Sequence, residues 1–338
     1  MATVSFFKNI YYFCHMNEVD IRVFTRSEEL PAMTCRSFFH SADFFRIAEV
    51  TSGHTPFMVV AEQDGRVVAH LLALLRRRGS FLPPYLYSQG RIYGEGEYDN
   101  GVDKELIFSL FLQTITRIFR RRLCLYTEFS DISSKMFGYR YFRENGYFPV
   151  PWQEVHNSLH SVPPEERLTE KSRSFIEQAS IDGIESVEAN SEQGIHEFYQ
   201  LLRRFFRLKI RRFIPSEKHF KELYLSGKAH ILLIRFHGRV LGGCCYVVSG
   251  CNAYLWYLAS RRKRYRHLHP DTLSVWAALK HAYQQQLEHV FFMDAGLPYK
   301  NNRFRSFILS FGGKPVAKYR WFRSSIAWVN RLLSWIYS

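Results

Sequence analysis

Ala61-Glu62-Gln63-Asp64-Gly65-Arg66-Val67-Val68-Ala69-His70-Leu71-Leu72 recurs in outline as Arg235-Phe236-His237-Gly238-Arg239-Val240-Leu241-Gly242-Gly243-Cys244-Cys245-Tyr246. An apolar run precedes each copy, at 57–60 and 231–234. A tight polar turn ending in Gly-Arg-Val follows it, and then a second apolar run. Apolar runs joined by a short glycine turn read as a β-hairpin, here used twice. Each copy continues into a strand, a polar loop, an amphipathic helix and another apolar strand. Each ends in a glycine followed by Pro-Val, Gly146 before Pro149-Val150 and Gly313 before Pro315-Val316. The copies lie roughly 170 residues apart, far above solenoid periods, so the spacing predicts a duplicated domain rather than a repeat array.

The length of 338 residues suits two domains, each able to bury its own core. Lys and Arg number 46 against 31 Asp and Glu, a net charge of +15. The excess is clustered at Arg76 to Arg78, Arg120 to Arg122, 203–212 and 261–266. Such a surface favours polyanions, although any one cluster reads first as a solvated face. The six cysteines form no C-x-x-C pair, which predicts free thiols in a reducing cytoplasm. No apolar run reaches membrane-spanning length, and the aromatic start at 6–13 lacks the features of a signal peptide.

The pattern predicts a strand at 21–24, a helix at 41–50, the hairpin, a strand at 85–93, a helix at 102–119 and a strand at 123–126. After Pro163-Pro164 come helical stretches at 165–179 and 195–206, the second hairpin, a strand at 253–258, a helix at 271–287 and a strand at 290–293. Helices alternating with a mixed, mostly antiparallel sheet in two related halves define an α/β (α+β) architecture. The implied boundaries are an N-terminal extension 1–20, a first domain 21–160, a second domain 161–318 and a C-terminal amphipathic aromatic helix 319–338.

Phe142-Arg143-Glu144-Asn145-Gly146-Tyr147-Phe148-Pro149-Val150 resembles the closing helix and turn of a GNAT-type N-acyltransferase domain. The duplicated arrangement resembles the Fem-type (FemABX) aminoacyltransferases. So do Asp294-Ala295-Gly296, Asn302-Arg303-Phe304-Arg305 and Phe311-Gly312-Gly313, where that family carries Asp-x-Gly, Arg-Phe-Lys and Phe-Gly. The resemblance, from about residue 21 to 316, implies tandem GNAT-like domains. It also implies transfer of an acyl or aminoacyl group from acyl-CoA, an acyl carrier or aminoacyl-tRNA to an amine, such as a cell-envelope precursor. Arg305 stands where the family has Lys, a planar fork in place of a point charge.

Amide formation needs a base for the attacking amine, donors for the oxyanion and an acid for the leaving group. Candidate bases are Glu95, Glu97 and Asp294, with Asp294 equally readable as a turn cap. Tyr257 is a candidate proton donor or a packing aromatic. The resemblance assigns Arg303 and Arg305 to substrate binding. Arg207 to Arg212, including Arg211 and Arg212, lie beside Phe205, Phe206 and Phe213, a mix that suits a phosphorylated substrate or RNA end, or else a basic amphipathic helix. The donor loop before the helix at Asp271 is Arg261-Arg262-Lys263-Arg264-Tyr265-Arg266-His267-Leu268-His269, without the glycines of a backbone phosphate cradle. Arg261, Arg264, Arg266 and Thr272 are its donor-binding candidates. Arg91-Ile92-Tyr93-Gly94-Glu95-Gly96 offers a Gly-x-Gly, but its acids repel a pyrophosphate and favour a plain glycine turn. His267 and His269 have no acidic or cysteine companions, so no metal is expected.

The competing class is a non-catalytic protein that keeps the fold and binds nucleic acid or lipid. The missing glycines favour it, and Asp294, Arg303 and Arg305 oppose it. In the tail, Phe322, Ile326, Val329, Leu333 and Ile336 recur at helical steps, with Arg320, Arg323 and Arg331 available for lipid phosphates. The tail reads either as an interfacial helix on an anionic membrane or as a helix docked on the second domain. The expected location is the cytoplasm, peripheral at the inner face of the membrane.

Overall fold

In the computed structural model, the described residues are 19–79, 83, 85–207 and 214–337. In the first half the strands are β1 (Asp20–Phe24), β2 (His54–Gln63), β3 (Arg66–Gly79), β4 (Leu86–Tyr93), β5 (Glu97–Tyr98), β6 (Cys124–Ser130) and β7 (Phe148–Ser158). Its helices are α1 (Ala42–Val50), α2 (Lys104–Arg121) and α3 (Tyr139–Glu144). The second half contributes α4 (Glu170–Ile181), β8 (Glu185–Glu188), α5 (Glu192–Phe206), α6 (Glu217–Leu225), β9 (Ala229–Phe236) and β10 (Arg239–Ser249). It continues with β11 (Asn252–Ser260), α7 (Pro270–Gln284), β12 (His289–Phe292), α8 (Arg303–Leu309), β13 (Lys314–Ser324) and α9 (Ala327–Tyr337).

Both Gly-Arg-Val segments close hairpins through two residues of positive φ, Asp64-Gly65 and His237-Gly238, the type I′ geometry that matches strand twist. Gln63 pairs with Arg66, and Phe236 with Arg239. In each copy the second strand then carries one unpaired residue, Val68 or Leu241, at the same distance from the turn. The duplication is thus conserved down to a β-bulge.

A single sheet runs β1-β2-β3-β4-β6-β13-β7-β12-β11-β10-β9-β8, with β5 added beside β3. The halves exchange their last strands: β7 pairs with β12 of the second half, and β13 inserts between β6 and β7. Pro149-Val150 and Pro315-Val316 make Trp152 the counterpart of Lys318, and these two residues face each other across β7 and β13. The approximate two-fold axis therefore passes between them. The sequence boundaries assign β7 to 21–160, whereas in space it completes the sheet of the second half.

One face of the first half packs on α2 through Phe108, Phe111 and Ile115, and the second half packs likewise on α7. A third core joins the halves, with Phe44, Met58 and Leu74 from one meeting Phe198, Phe220 and Tyr254 from the other. The tail departs from the expected continuous helix. Residues 314–324 form a strand because the slot between β6 and β7 accepts a ladder on both sides and buries Trp321 completely. Helix begins only at Ala327.

Candidate active site

The parallel pair β11/β12 stays in register only from Asn252–His289 to Tyr254–Phe291, after which the strands diverge. Trp256, unpaired against β10, forms a bulge at the divergence. A cavity of about 280 Å³ opens there, floored by β3, β4, β6 and β13 and walled by Leu255, Trp256 and Tyr257 on one side and Met293 and Asp294 on the other. It lies between the halves. The helical side of the second half adds Phe206, Ile214 and His219.

Strand exchange sets its chemistry. Glu128, on β6, is buried between Arg91 of β4 and Arg320 of β13, whose Nη1 lies 3.0 Å from Oε1. Gln89 donates to the other carboxylate oxygen at 2.9 Å and accepts from Arg78 Nε at 2.8 Å. Arg320 also donates to Met293 O (2.7 Å) and Asp294 Oδ1 (2.9 Å), while its guanidinium lies 4.1 Å from the ring centroid of Trp152. Burial works to neutralise Glu128, but Arg91 and Arg320 outweigh it and hold the carboxyl below its usual range. Against a similar desolvation cost, Arg91 and Arg76 draw the Tyr93 hydroxyl below the ordinary phenol value. Burial raises Tyr257, which stays protonated.

Arg76, Arg78, Arg91 and Arg320 face only Glu128 and Asp294, so the lining keeps surplus positive charge. The Nε–H groups of Arg76, Arg91 and Arg320 and the indole N–H of Trp256 are buried with no acceptor among the described residues. Buried donors of this kind suit an anionic ligand.

Of the residues read from sequence, Asp294 and Tyr257 meet in this cavity. Glu95 does not line it. Its carboxylate accepts the Ser133 N–H at 3.0 Å, and Glu97 accepts those of Arg36 and Ser37 at 2.8 Å, so both fasten loops. Arg305 lies outside the cavity lining and clamps the loop, donating to the carbonyls of Ala295, Leu297, Pro298 and Lys300 at 2.8–3.4 Å. Arg303, at the exposed start of α8, lies outside the cavity lining. Arg264 and Arg266 are exposed and Arg261 half-buried, whereas Thr272 is buried out of reach of a solvent-borne phosphate. Arg211 and Arg212 lie outside the described residues. Arg320 and Arg323 are not spread over the tail surface, since Arg320 is buried and Arg323 donates to Asn145 O.

Sequence reading did not bring Arg76, Arg78, Arg91, Glu128 and Arg320 together as a site. Their signal was charge inside otherwise apolar strands, where a buried ion needs a partner from another strand. It also missed Asp131, the counterpart of Asp294 after Phe129-Ser130. Burial, and then Glu154, push the Asp131 carboxyl up to about 7. Glu154 occupies the position equivalent to Arg320, so the two sides of the pseudo-axis carry opposite charge. Elsewhere, Glu188, His230 and His281 bring ligand atoms within 4.8 Å of one another. Their contacts, including His230 Nδ1 to Glu188 at 2.7 Å, tie edge strand β8 to β9 and α7.

The exchanged strands, the split pair β11/β12 and the cleft between related halves define a duplicated GNAT fold. Residues 170–301, within the second half, match the family described as Acetyltransferase (GNAT) domain. A search of curated proteins finds no match. Among solved structures, FemX superposes with a TM-score of 0.61 at 12% identity, covering 91% of this chain and 96% of its own. A tandem GNAT protein from the clavulanic acid biosynthesis pathway gives 0.57 at 13% identity, covering 88% and 91%. The C-terminal domain of a putative lysylphosphatidylglycerol synthetase from Agrobacterium fabrum gives 0.56 at 11%, covering 87% and 91%.

Proposed function

We propose that the chain is an N-acyltransferase that joins an activated, phosphate-bearing acyl donor to an amine in the cleft between its halves. The observation that carries this reading is the cavity at the β11/β12 split, where buried guanidinium N–H groups outnumber carboxylates. The donor is an acyl thioester such as acyl-CoA or an aminoacyl ester on tRNA, which share phosphate charge and an activated carbonyl. The exposed guanidinium groups of Arg264 and Arg266, beyond β11, supply further phosphate contacts.

In this scheme Asp294, fixed by Arg320, orients the amine. Tyr93, its hydroxyl acidified by Arg91 and Arg76, relays the amine proton to the Asp294 carboxylate as nitrogen attacks the carbonyl carbon. The C–N bond forms, and Arg76 and Arg78 stabilise the oxyanion. The C–S or C–O bond then breaks, and Tyr257 protonates the leaving atom. Glu128 takes no proton, since two arginines hold it ionised.

Mass spectrometry after incubation with an acyl-CoA panel, or with aminoacyl-tRNA, and a mixed amine pool tests the proposal. Amide product from one donor, reduced in Arg91→Gln, is expected. Binding of polyanions without consumption of either donor would establish the non-catalytic alternative instead.

A further inference from the structure

Among the described residues, helix α9 is held along one side. Asn330 donates to Gly146 O (2.9 Å) and accepts from Ser324 N (2.8 Å), Arg143 donates to Ser334 Oγ (3.4 Å), and the Tyr337 ring stacks on Phe148. No residue of the helix is buried. Its outer side presents Trp328 (66% exposed), Leu332 (47%), Trp335 (79%) and Ile336 (54%), which recur at steps of three and four residues. A monomer rarely leaves two tryptophans and two aliphatics together in water.

The start of α9 lies near the end of α2. Ser325, just before α9, donates its N–H to Leu125 O at 2.9 Å and its hydroxyl to Cys124 O. That places the start of the helix near Leu123, which is 86% exposed and has a φ of +51°. A glycine would fill this left-handed position after a helix at lower cost, so the fold does not call for an exposed leucine there. Arg120, Arg121 and Arg122 precede Leu123 and are exposed, as are Arg143 and Arg331 around the helix. The one exposed carboxylate in α3, Glu144, is paired with Arg140. There is no acidic residue from 325 to 338.

We propose that the outer side of α9, together with the Arg120-Arg121-Arg122-Leu123 corner, is a docking surface for an anionic lipid bilayer. Tryptophan and leucine on one face, with arginine at the rim outnumbering the single paired carboxylate of Glu144, make up the composition that enters a headgroup region from the side. At 11 residues, α9 is about 16 Å long and lies along the interface rather than through it. Among the described residues, no helix is long and apolar enough to cross a membrane. The cleft chemistry is not needed for this binding, which is tested separately from activity.

The purified full chain is sedimented with vesicles of phosphatidylcholine alone and with vesicles containing phosphatidylglycerol, at low and high salt. Binding should be confined to the anionic vesicles and weaken with salt. It should fall by about tenfold or more both in Trp328→Ser/Trp335→Ser and in Arg120→Gln/Arg121→Gln/Arg122→Gln. Each substitution lies on the surface, and unchanged thermal melts would show that the fold is retained. Wild-type protein that stays in the supernatant with anionic vesicles would overturn the proposal. So would a dimer in sedimentation equilibrium that the tryptophan variant dissociates without any vesicle binding, since a second copy would then cover the face.

Discussion

Single side chains divide into those that hold the cleft and those placed to react in it. Arg320 is buried and bonds Glu128, Asp294 and the Met293 carbonyl, so Arg320→Met leaves Glu128 with fewer compensating charges. Breaking a buried pair costs about 3–5 kcal/mol, and urea unfolding of this variant should show a loss of that order. Tyr257 packs 5.0 Å from Phe220 and bonds no carboxylate. Tyr257→Phe should therefore change stability by less than about 1 kcal/mol while lowering the turnover number about tenfold or more, as loss of a general acid does. Equal loss of stability in both variants would move Tyr257 to the packing role.

At the level of elements, the loop between β12 and α8 carries Asp294 and owes its shape to Arg305. Asn302 caps α8 by accepting the N–H groups of Phe304 and Arg305, and Gly296 takes a φ of +86° beside the Asn302 side chain. Arg305→Ala removes four carbonyl contacts and should speed amide exchange across 295–301. It should also reduce activity by misplacing Asp294. Arg305→Lys should rescue this only in part, because a point ammonium cannot span the carbonyls that a fork reaches. Unchanged exchange in Arg305→Ala would exclude the clamp. The motif around Arg305 was legible in the sequence, but its partners were not, since backbone carbonyls leave no mark in side-chain patterns.

Over the whole molecule, buried histidines couple the joined halves to pH. His219 of α6 bonds Thr51 at the end of α1, and His40 accepts the Leu72 N–H. Burial, followed by nearby positive charge from Arg76 for His219 and His70 for His40, pushes each down to about 3. The unfolded chain binds these protons near pH 6.5 and the folded chain does not. Stability is therefore full above about pH 6.5 and falls as pH drops towards 3, by up to about 1.4 kcal/mol per pH unit for each histidine. Urea melts of His219→Gln should show a shallower acid slope than wild type, and an identical slope would exclude its part. The sequence alone determined the duplication, the two glycine hairpins, the amphipathic helices and the basic surplus, because these follow from local periodicity, turn chemistry and charge. It placed a helix at 319–324, where the structure has a strand, because period and propensity are outweighed when an open slot offers hydrogen bonds on both edges. Only the tertiary structure decided the exchange of β7 and β13, and with it the cleft. Arg91, Glu128 and Arg320 lie far apart in the chain, and a buried charge shows its purpose only when the fold supplies its partner.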